Sequence, residues 1–175
     1  MITKPTLLLD KGKCLKNIEM LSLKAIGHNL IFRPHFKTHQ SLEIGRWFKN
    51  FGVERITVSS LEMARYFSCE WSDITVAFPV NILEIDTINE LTEKISLNLL
   101  VESEESAGFL AGNLKSPTGF FIKIDTGYHR TGVSPDNTTL IDGILRIAGT
   151  SHKLFFKGFL THAGSTYNCR TREEI

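Results

Sequence analysis

The sequence predicts a parallel α/β fold, an incomplete (β/α)8 TIM barrel. Three observations point there. Short β-type runs alternate with amphipathic helical stretches along the chain, the pattern of a parallel sheet with crossover helices. Several of those runs are continuously apolar, as strands covered on both faces are. No GxGxxG follows the first of them and no P-loop signature occurs anywhere, which weakens an open nucleotide-binding sheet relative to a barrel. A closed barrel typically takes about 250 residues. The chain has 175, so the barrel is expected to be partial: one βα unit and six further strands.

The strand candidates, in order, are TLLLD (6–10), LIFRPH (30–35), RITVSS (55–60), DITVAFPV (73–80), SLNLLVE (96–102), GFFIKID (119–125) and FFKGFLTHA (155–163). The helices between them carry readable caps. Ser41 precedes an i, i+3, i+4, i+7 stripe of Ile44, Trp47, Phe48 and Phe51, and Gly52 ends it. Ser59 and Glu62 have capping-box spacing before Met63, Ala64 and Phe67. Asn81 opens a helix with Ile82, Ile85, Ile88 and Leu91 inward. Ser103, with Glu104 and Glu105 in the first turn, opens another with Ala107, Leu110, Ala111 and Leu114 inward. Asp136 is expected to open the next, carrying Leu140, Ile141, Ile144, Leu145 and Ala148 and stopped by Gly149. At the end of the chain Thr171 and Glu174 again have capping-box spacing, which predicts the first turn of a further helix. The chain is therefore expected to be the N-terminal part of a longer enzyme.

Composition narrows the function classes. The chain is 42% hydrophobic and 22% charged with a formal net charge of +1, an ordinary globular composition. A near-neutral balance argues against a nucleic-acid or anionic-membrane partner. The opening MITKPTLLLDKGK is charged too early for a secretory leader. No apolar run approaches the roughly 20 residues of a membrane helix. Cys14, Cys69 and Cys169 are odd in number and lack a CxxC pair, which fits reduced, buried or half-buried thiols of a cytoplasmic protein.

Three places carry chemistry, all at the carboxyl ends of predicted strands, where parallel α/β folds build their sites. The first is RPHFKTHQ (33–40). His35 and His39 would share a helix face as metal ligands, but Pro34 and the β-rich run before it put them on a strand end and turn. In extended backbone Arg33, His35 and Lys37 point the same way. Two cationic neighbours and partial burial are expected to favour a nucleophilic amine at Lys37. An exposed basic turn is the plainer alternative.

The second place is KIDTGYHRTG (123–132). A strand delivers Asp125, and Gly127 and Gly132 bracket Arg130, whose guanidinium can donate to an anionic oxygen without losing its charge. Lys123, within the strand and inward, is a rival nucleophile, and an Asp125–Arg130 ion pair is the structural alternative. The third is GFLTHAGSTYN (158–168), where His162 ends a strand, small residues follow, and Tyr167 comes within reach.

Taken together these blocks resemble the D-threonine aldolase and D-serine dehydratase family, fold-type III pyridoxal-phosphate enzymes whose N-terminal barrel is of the alanine racemase type. RPHFKTHQ is similar to that family's RPH-x-KTH-K stretch. PTLLLDKGKCLKNIEML resembles its opening, where a strand ending in Asp leads into a helix with an early Asn (Asn17). DITVAFPV, IDTGYHRTGV and GFLTHAGSTY match further blocks in order. Gln40 stands where the family usually has Lys. Ser41 stands where alanine racemases carry a phosphate-binding tyrosine, which favours the aldolase and dehydratase branch.

The resemblance implies roles. Lys37 is the expected Schiff-base lysine for pyridoxal 5′-phosphate. Arg130 is expected to hydrogen-bond the cofactor's phenolic oxygen, His162 to pack against its ring, and Tyr167 to lie near the ring nitrogen. Lys123 is expected behind Arg130 as its support rather than as the nucleophile. Residues 1–175 would form a partial barrel domain, with the C-terminal β-domain, the phosphate-holding loops after the last strands and the ligands of the family's divalent metal all outside this chain. His35 and His39 do not replace those ligands. The implied full-length activity is a lyase reaction on a small D-3-hydroxy amino acid, by aldol cleavage or dehydration, in a cytoplasmic homodimer. Racemisation, non-catalytic cofactor binding and an inactive fragment are the alternatives.

Overall fold

The computed structural model describes residues 3, 4, 6 and 8–175. Five parallel strands form one sheet: β1 (Arg55–Val58), β2 (Asp73–Pro79), β3 (Ser96–Val101), β4 (Thr118–Ile124) and β5 (Leu154–Thr161). Their spatial order is their sequence order. A doubly wound sheet reverses its order at a switch point. This sheet has no reversal, so it winds in one sense as a barrel does, and among the described residues it is not closed: a barrel in part.

The helices are α1 (Lys11–Gly27), α2 (Leu42–Lys49), α3 (Leu61–Phe67), α4 (Ile85–Thr92), α5 (Glu104–Asn113) and α6 (Thr138–Ala148). From α2 onward their apolar stripes join one face of the sheet. Ile56, Val58, Ile74, Leu97, Leu99, Phe120 and Ile122 pack there with Ala64, Phe67, Ile88, Leu91, Leu110 and Ile144. Alternation puts a different set on the other face: Thr57, Thr75, Asn98 and Gly119 stand side by side in register. At the amino end of that face Asp73 gathers three donors. Its Oδ1 accepts from Arg33 at 2.8 Å and Asn98 at 3.2 Å, and Arg55 lies 3.3 Å from Oδ2.

Caps follow the sequence closely but not everywhere. Ser41, Asn81 and Ser103 accept the backbone N–H groups expected of them. The first three residues after Asn81 form a 3₁₀ turn before α4 begins. Two caps fall one residue later than the pattern predicts. Ser60, not Ser59, accepts from Met63 N–H at 3.2 Å, so Glu62 makes no capping box with Ser59. Asn137, not Asp136, accepts from Leu140 N–H. In both cases two adjacent residues could cap, and the path of the incoming chain selects the second.

Three expected elements do not form. TLLLD is not a strand at residues 6 and 8–10, Leu7 lying outside the described residues. A strand needs a neighbour for its N–H and C=O groups, and among the described residues none lies beside it. Leu8 and Leu9 are exposed, and Asp10 instead caps α1 by accepting from Lys13 N–H. LIFRPH is irregular until its end, where Thr57 N–H donates to Pro34 at 2.9 Å and His35 makes a single parallel bridge to Thr57. Residues 171–174 form a turn, not a helix start: the Glu174 carboxylate accepts from Arg170 N–H at 2.6 Å. Cys14 and Cys169 are half-buried free thiols, whereas Cys69 is exposed.

Candidate active site

Lys37 lies on a single 3₁₀ turn, Phe36–Thr38, between the chain docked on β1 and the start of α2. The turn is anchored by its neighbours. Phe36 is wholly buried and packs against Phe48, Phe67 and Trp71 at ring distances of 5.1–5.2 Å. His35, in extended backbone before the turn, accepts Lys37 N–H on Nδ1 at 3.3 Å. His39 accepts Ser41 N–H on Nδ1 and stacks on Phe48. Each histidine thus serves a local backbone donor. Among the described residues, no group of three His, Cys, Asp or Glu is placed to hold a metal.

The turn corrects part of the sequence reading. Extended alternation stops at His35, so Arg33, His35 and Lys37 do not project together. Arg33 reaches the opposite way along the sheet, to Asp73 and the Ile56 carbonyl. Lys37 is exposed rather than partly buried. Its amine is free to react because it projects from a fixed turn, not because it is desolvated.

The second block forms a tethered loop after β4. Val133 returns to the strand end, donating to the Lys123 carbonyl at 2.8 Å and accepting from Asp125 N–H at 2.9 Å. Between these ties the chain winds around one carboxylate. Asp125 Oδ1 accepts the N–H groups of Gly127, Tyr128 and His129, each at 3.0 Å, and Oδ2 meets His129 Nδ1 at 3.1 Å. These donors, His129 N–H first, hold the Asp125 carboxyl below the usual aspartate range. The winding requires positive φ at Gly127 (102°), His129 (54°) and Gly132 (113°). A side chain at Gly132 would meet Asp125 N at 2.8 Å. Asp125 is committed to its own loop and to His129, so the Asp125–Arg130 ion pair does not form.

Arg130 is left exposed, with its guanidinium 5.1 Å from the Tyr128 ring centre. Lys123 is buried, as its inward position implies, and donates to Thr131 Oγ1 rather than touching Arg130 directly. Burial and the Arg130 charge push Lys123 below the usual lysine range, against the opposing charges of Glu102 and Asp125.

The third block places His162 just past β5. Its ring stacks on Tyr128, centroids 5.3 Å apart and planes 13° from parallel. Tyr167 meets it edge-on, with Oη 3.4 Å from Nε2. Nδ1 of His162 is buried and has no partner. A Cβ at Gly164 would meet the Tyr128 ring at 2.7 Å, so this glycine leaves room for the stack.

The fold therefore brings Arg130 and His162 together through Tyr128, with Tyr167 at the edge and Lys123 behind. Lys123, Tyr128, Arg130, Thr131 and His162 border a small cleft of about 10 Å³, about the least room that holds one water molecule. The charges of Lys37 and His162 both act on the His35 ring, after burial, and lower its pKa to about 4. Two residues escaped the sequence reading of the site. Tyr128 looks like one more loop residue, and its pairing with His162 spans a whole helix and strand that local patterns do not cross. His35 is legible as a candidate metal ligand and as a cationic neighbour of Lys37, not as the acceptor of its N–H.

Comparison with known proteins agrees with this architecture. Residues 9–174 match the family described as alanine racemase, N-terminal domain. The chain is 32% identical to D-serine dehydratase of Dictyostelium discoideum over 191 aligned residues, covering 99% of this chain and 47% of that protein. The solved structure of D-threo-3-hydroxyaspartate dehydratase from Delftia sp. HT23 superposes with a TM-score of 0.89 at 29% identity, covering 98% of this chain and 46% of that one. D-threonine aldolase from Filomicrobium marinum shares the fold at 18% identity, with a TM-score of 0.85 over 96% of this chain and 46% of that one. The chain thus spans about half the length of the relatives it matches.

Proposed function

The chain belongs to the alanine racemase N-terminal domain family, and on that premise we propose that it carries the cofactor-attaching half of a pyridoxal 5′-phosphate lyase acting on D-3-hydroxy amino acids, of the D-serine dehydratase or D-threonine aldolase type. One observation carries the reading. An exposed lysine stands on an anchored turn, and past the ends of β4 and β5 a guanidinium and an imidazole lean on the same aromatic ring. The similarity to two dehydratases named for D-amino acids supports the substrate class.

The residues fit the cofactor. Among the described residues neither Lys37 nor Arg130 is engaged in an ion pair. The His162 Nδ1 atom is an orphaned buried position. Pyridoxal phosphate, when bound, supplies an electron sink for breaking a bond at the substrate's α-carbon. In this proposal the Lys37 amine attaches the cofactor by its aldehyde, Arg130 donates to the phenolic oxygen and His162 packs against the ring. Tyr167 lies beside His162 as the neutral group for the ring nitrogen, and Lys123 with Thr131 steadies the loop carrying Arg130. Residues 1–175 are then the partial barrel domain of a cytoplasmic homodimer. In this proposal residues 1–175 supply none of the divalent metal ligands.

Mixing the purified chain with pyridoxal phosphate and reducing with borohydride tests the attachment. A stable chromophoric adduct is expected on Lys37 and absent in Lys37→Ala. An adduct that survives the substitution sinks the assignment. With the full-length protein, glycine and an aldehyde from D-threonine identify the aldolase, and pyruvate with ammonia from D-serine identifies the dehydratase. Racemised amino acid alone would replace the lyase reading with a racemase.

A further inference from the structure

His35 is the first residue on the approach to Lys37, and nothing in the proposed function uses it. Its surroundings define what it does. The backbone on its N-terminal side is pinned to β1 by the Thr57 N–H to Pro34 bond and the bridge at His35. The residue on its C-terminal side, Phe36, is locked in the aromatic core. Between these anchors the ring folds over the turn, and Nδ1 takes the N–H of Lys37 at 3.3 Å.

An imidazole nitrogen accepts a hydrogen bond only when it carries no proton. The contact therefore sets the tautomer, with the proton on Nε2. It also requires the neutral ring, because an imidazolium would oppose one N–H with another. Half-burial, together with the charges of Lys37 and His162, keeps the ring neutral far below the usual histidine range, to about 4. The 3₁₀ turn is too short to hold itself, since its N–H groups have almost no internal partners. Without the side-chain acceptor the Lys37 N–H loses its partner, and the backbone at Lys37 keeps only the bond from Gln40 Nε2 to its carbonyl.

We propose that His35 is the positioning residue for Lys37: as a neutral Nε2–H imidazole it caps the turn and so fixes the backbone from which the amine projects. This rests on Lys37 being the attachment point. It does not depend on which amino acid is cleaved.

Two measurements test it on the full chain. Ring ¹⁵N spectra, with His35 assigned by its loss in His35→Asn, are expected to show an unprotonated Nδ1 and a protonated Nε2 that persist well below pH 6. A proton on Nδ1, or titration near pH 6.5, overturns the proposal. The rate of borohydride-trapped adduct formation is then compared among variants. His35→Ala is expected to slow it about fivefold, the scale of losing a helix-turn cap. His35→Asn, whose Oδ1 can accept the same N–H, is expected to restore most of the rate. Equal rates for wild type and His35→Ala, or equal slowing in both variants, overturn it. If the wild-type chain forms no adduct at all, the proposed function fails, and the ring spectra still decide the role of His35.

Discussion

The rings of Tyr128 and His162 lie 5.3 Å apart and only 13° from parallel, with the Arg130 guanidinium also resting on the Tyr128 ring. The two groups expected to hold a cofactor ring thus hold a tyrosine, beside a cleft of about 10 Å³. A flat ligand stacking on the same face of His162 displaces Tyr128. An aromatic stack of this kind is worth about 0.5–1.5 kcal/mol. Tyr128→Ala is therefore expected to tighten pyridoxal phosphate binding by roughly twofold to tenfold, measured by absorbance titration. Gly164→Ala, whose Cβ would meet the Tyr128 ring at 2.7 Å, is expected to displace the same ring. Weaker binding in Tyr128→Ala would show that the stack belongs to the bound state instead.

Asp125 makes the next loop pH-sensitive in one direction. Its carboxyl is held below the usual aspartate range by the backbone N–H groups of His129, Gly127 and Tyr128. A depressed folded-state pKa adds stability above the unfolded value, about 3.9, which is lost as pH falls through the lower folded value. The stability difference between wild type and Asp125→Asn is expected to shrink as pH falls below about 4. Urea titrations at several pH values measure it. A difference that grew as pH fell below about 4 would contradict the assignment.

Asp73 ties three donors at the amino end of the sheet. Asp73→Ala leaves Arg33, Arg55 and Asn98 without their shared acceptor. Hydrogen bonds to a charged group contribute about 1.5–3 kcal/mol, so a loss of about 2 kcal/mol is expected in chemical denaturation. The adduct rate at Lys37, compared under conditions where both proteins are folded, is expected to stay near wild type.

Two adjacent serines separate local pattern from actual cap. Ser60→Ala removes the acceptor of Met63 N–H and is expected to cost about 1 kcal/mol. Ser59→Ala, the position the capping-box spacing favours, is expected to cost almost nothing. Thermal melts of the two variants decide between them.

What the sequence reads well here is local and repeated. Five of the strands and the helices between them follow from periodicity, and their caps follow from side chains that bond three residues on. Even the exceptions, Ser60 for Ser59 and Asn137 for Asp136, are shifts of one residue. TLLLD and LIFRPH fail for a different reason. Their composition suits a strand, but a strand is completed by its neighbour, and only Pro34 and His35 find one on β1.

The chemistry divides in the same way. The motifs around Lys37, Arg130 and His162 are contiguous in sequence, so the resemblance and the residue types were legible without coordinates. How those residues meet was not. That Tyr128 bridges Arg130 and His162 depends on a contact between the ends of two strands, and the turn on which His35 caps Lys37 is held by the docking of Pro34 and His35 on β1. Covalent neighbours and helical or strand periods specify the elements. The site is specified by which strand ends come to lie side by side, and that is decided only when the sheet is assembled.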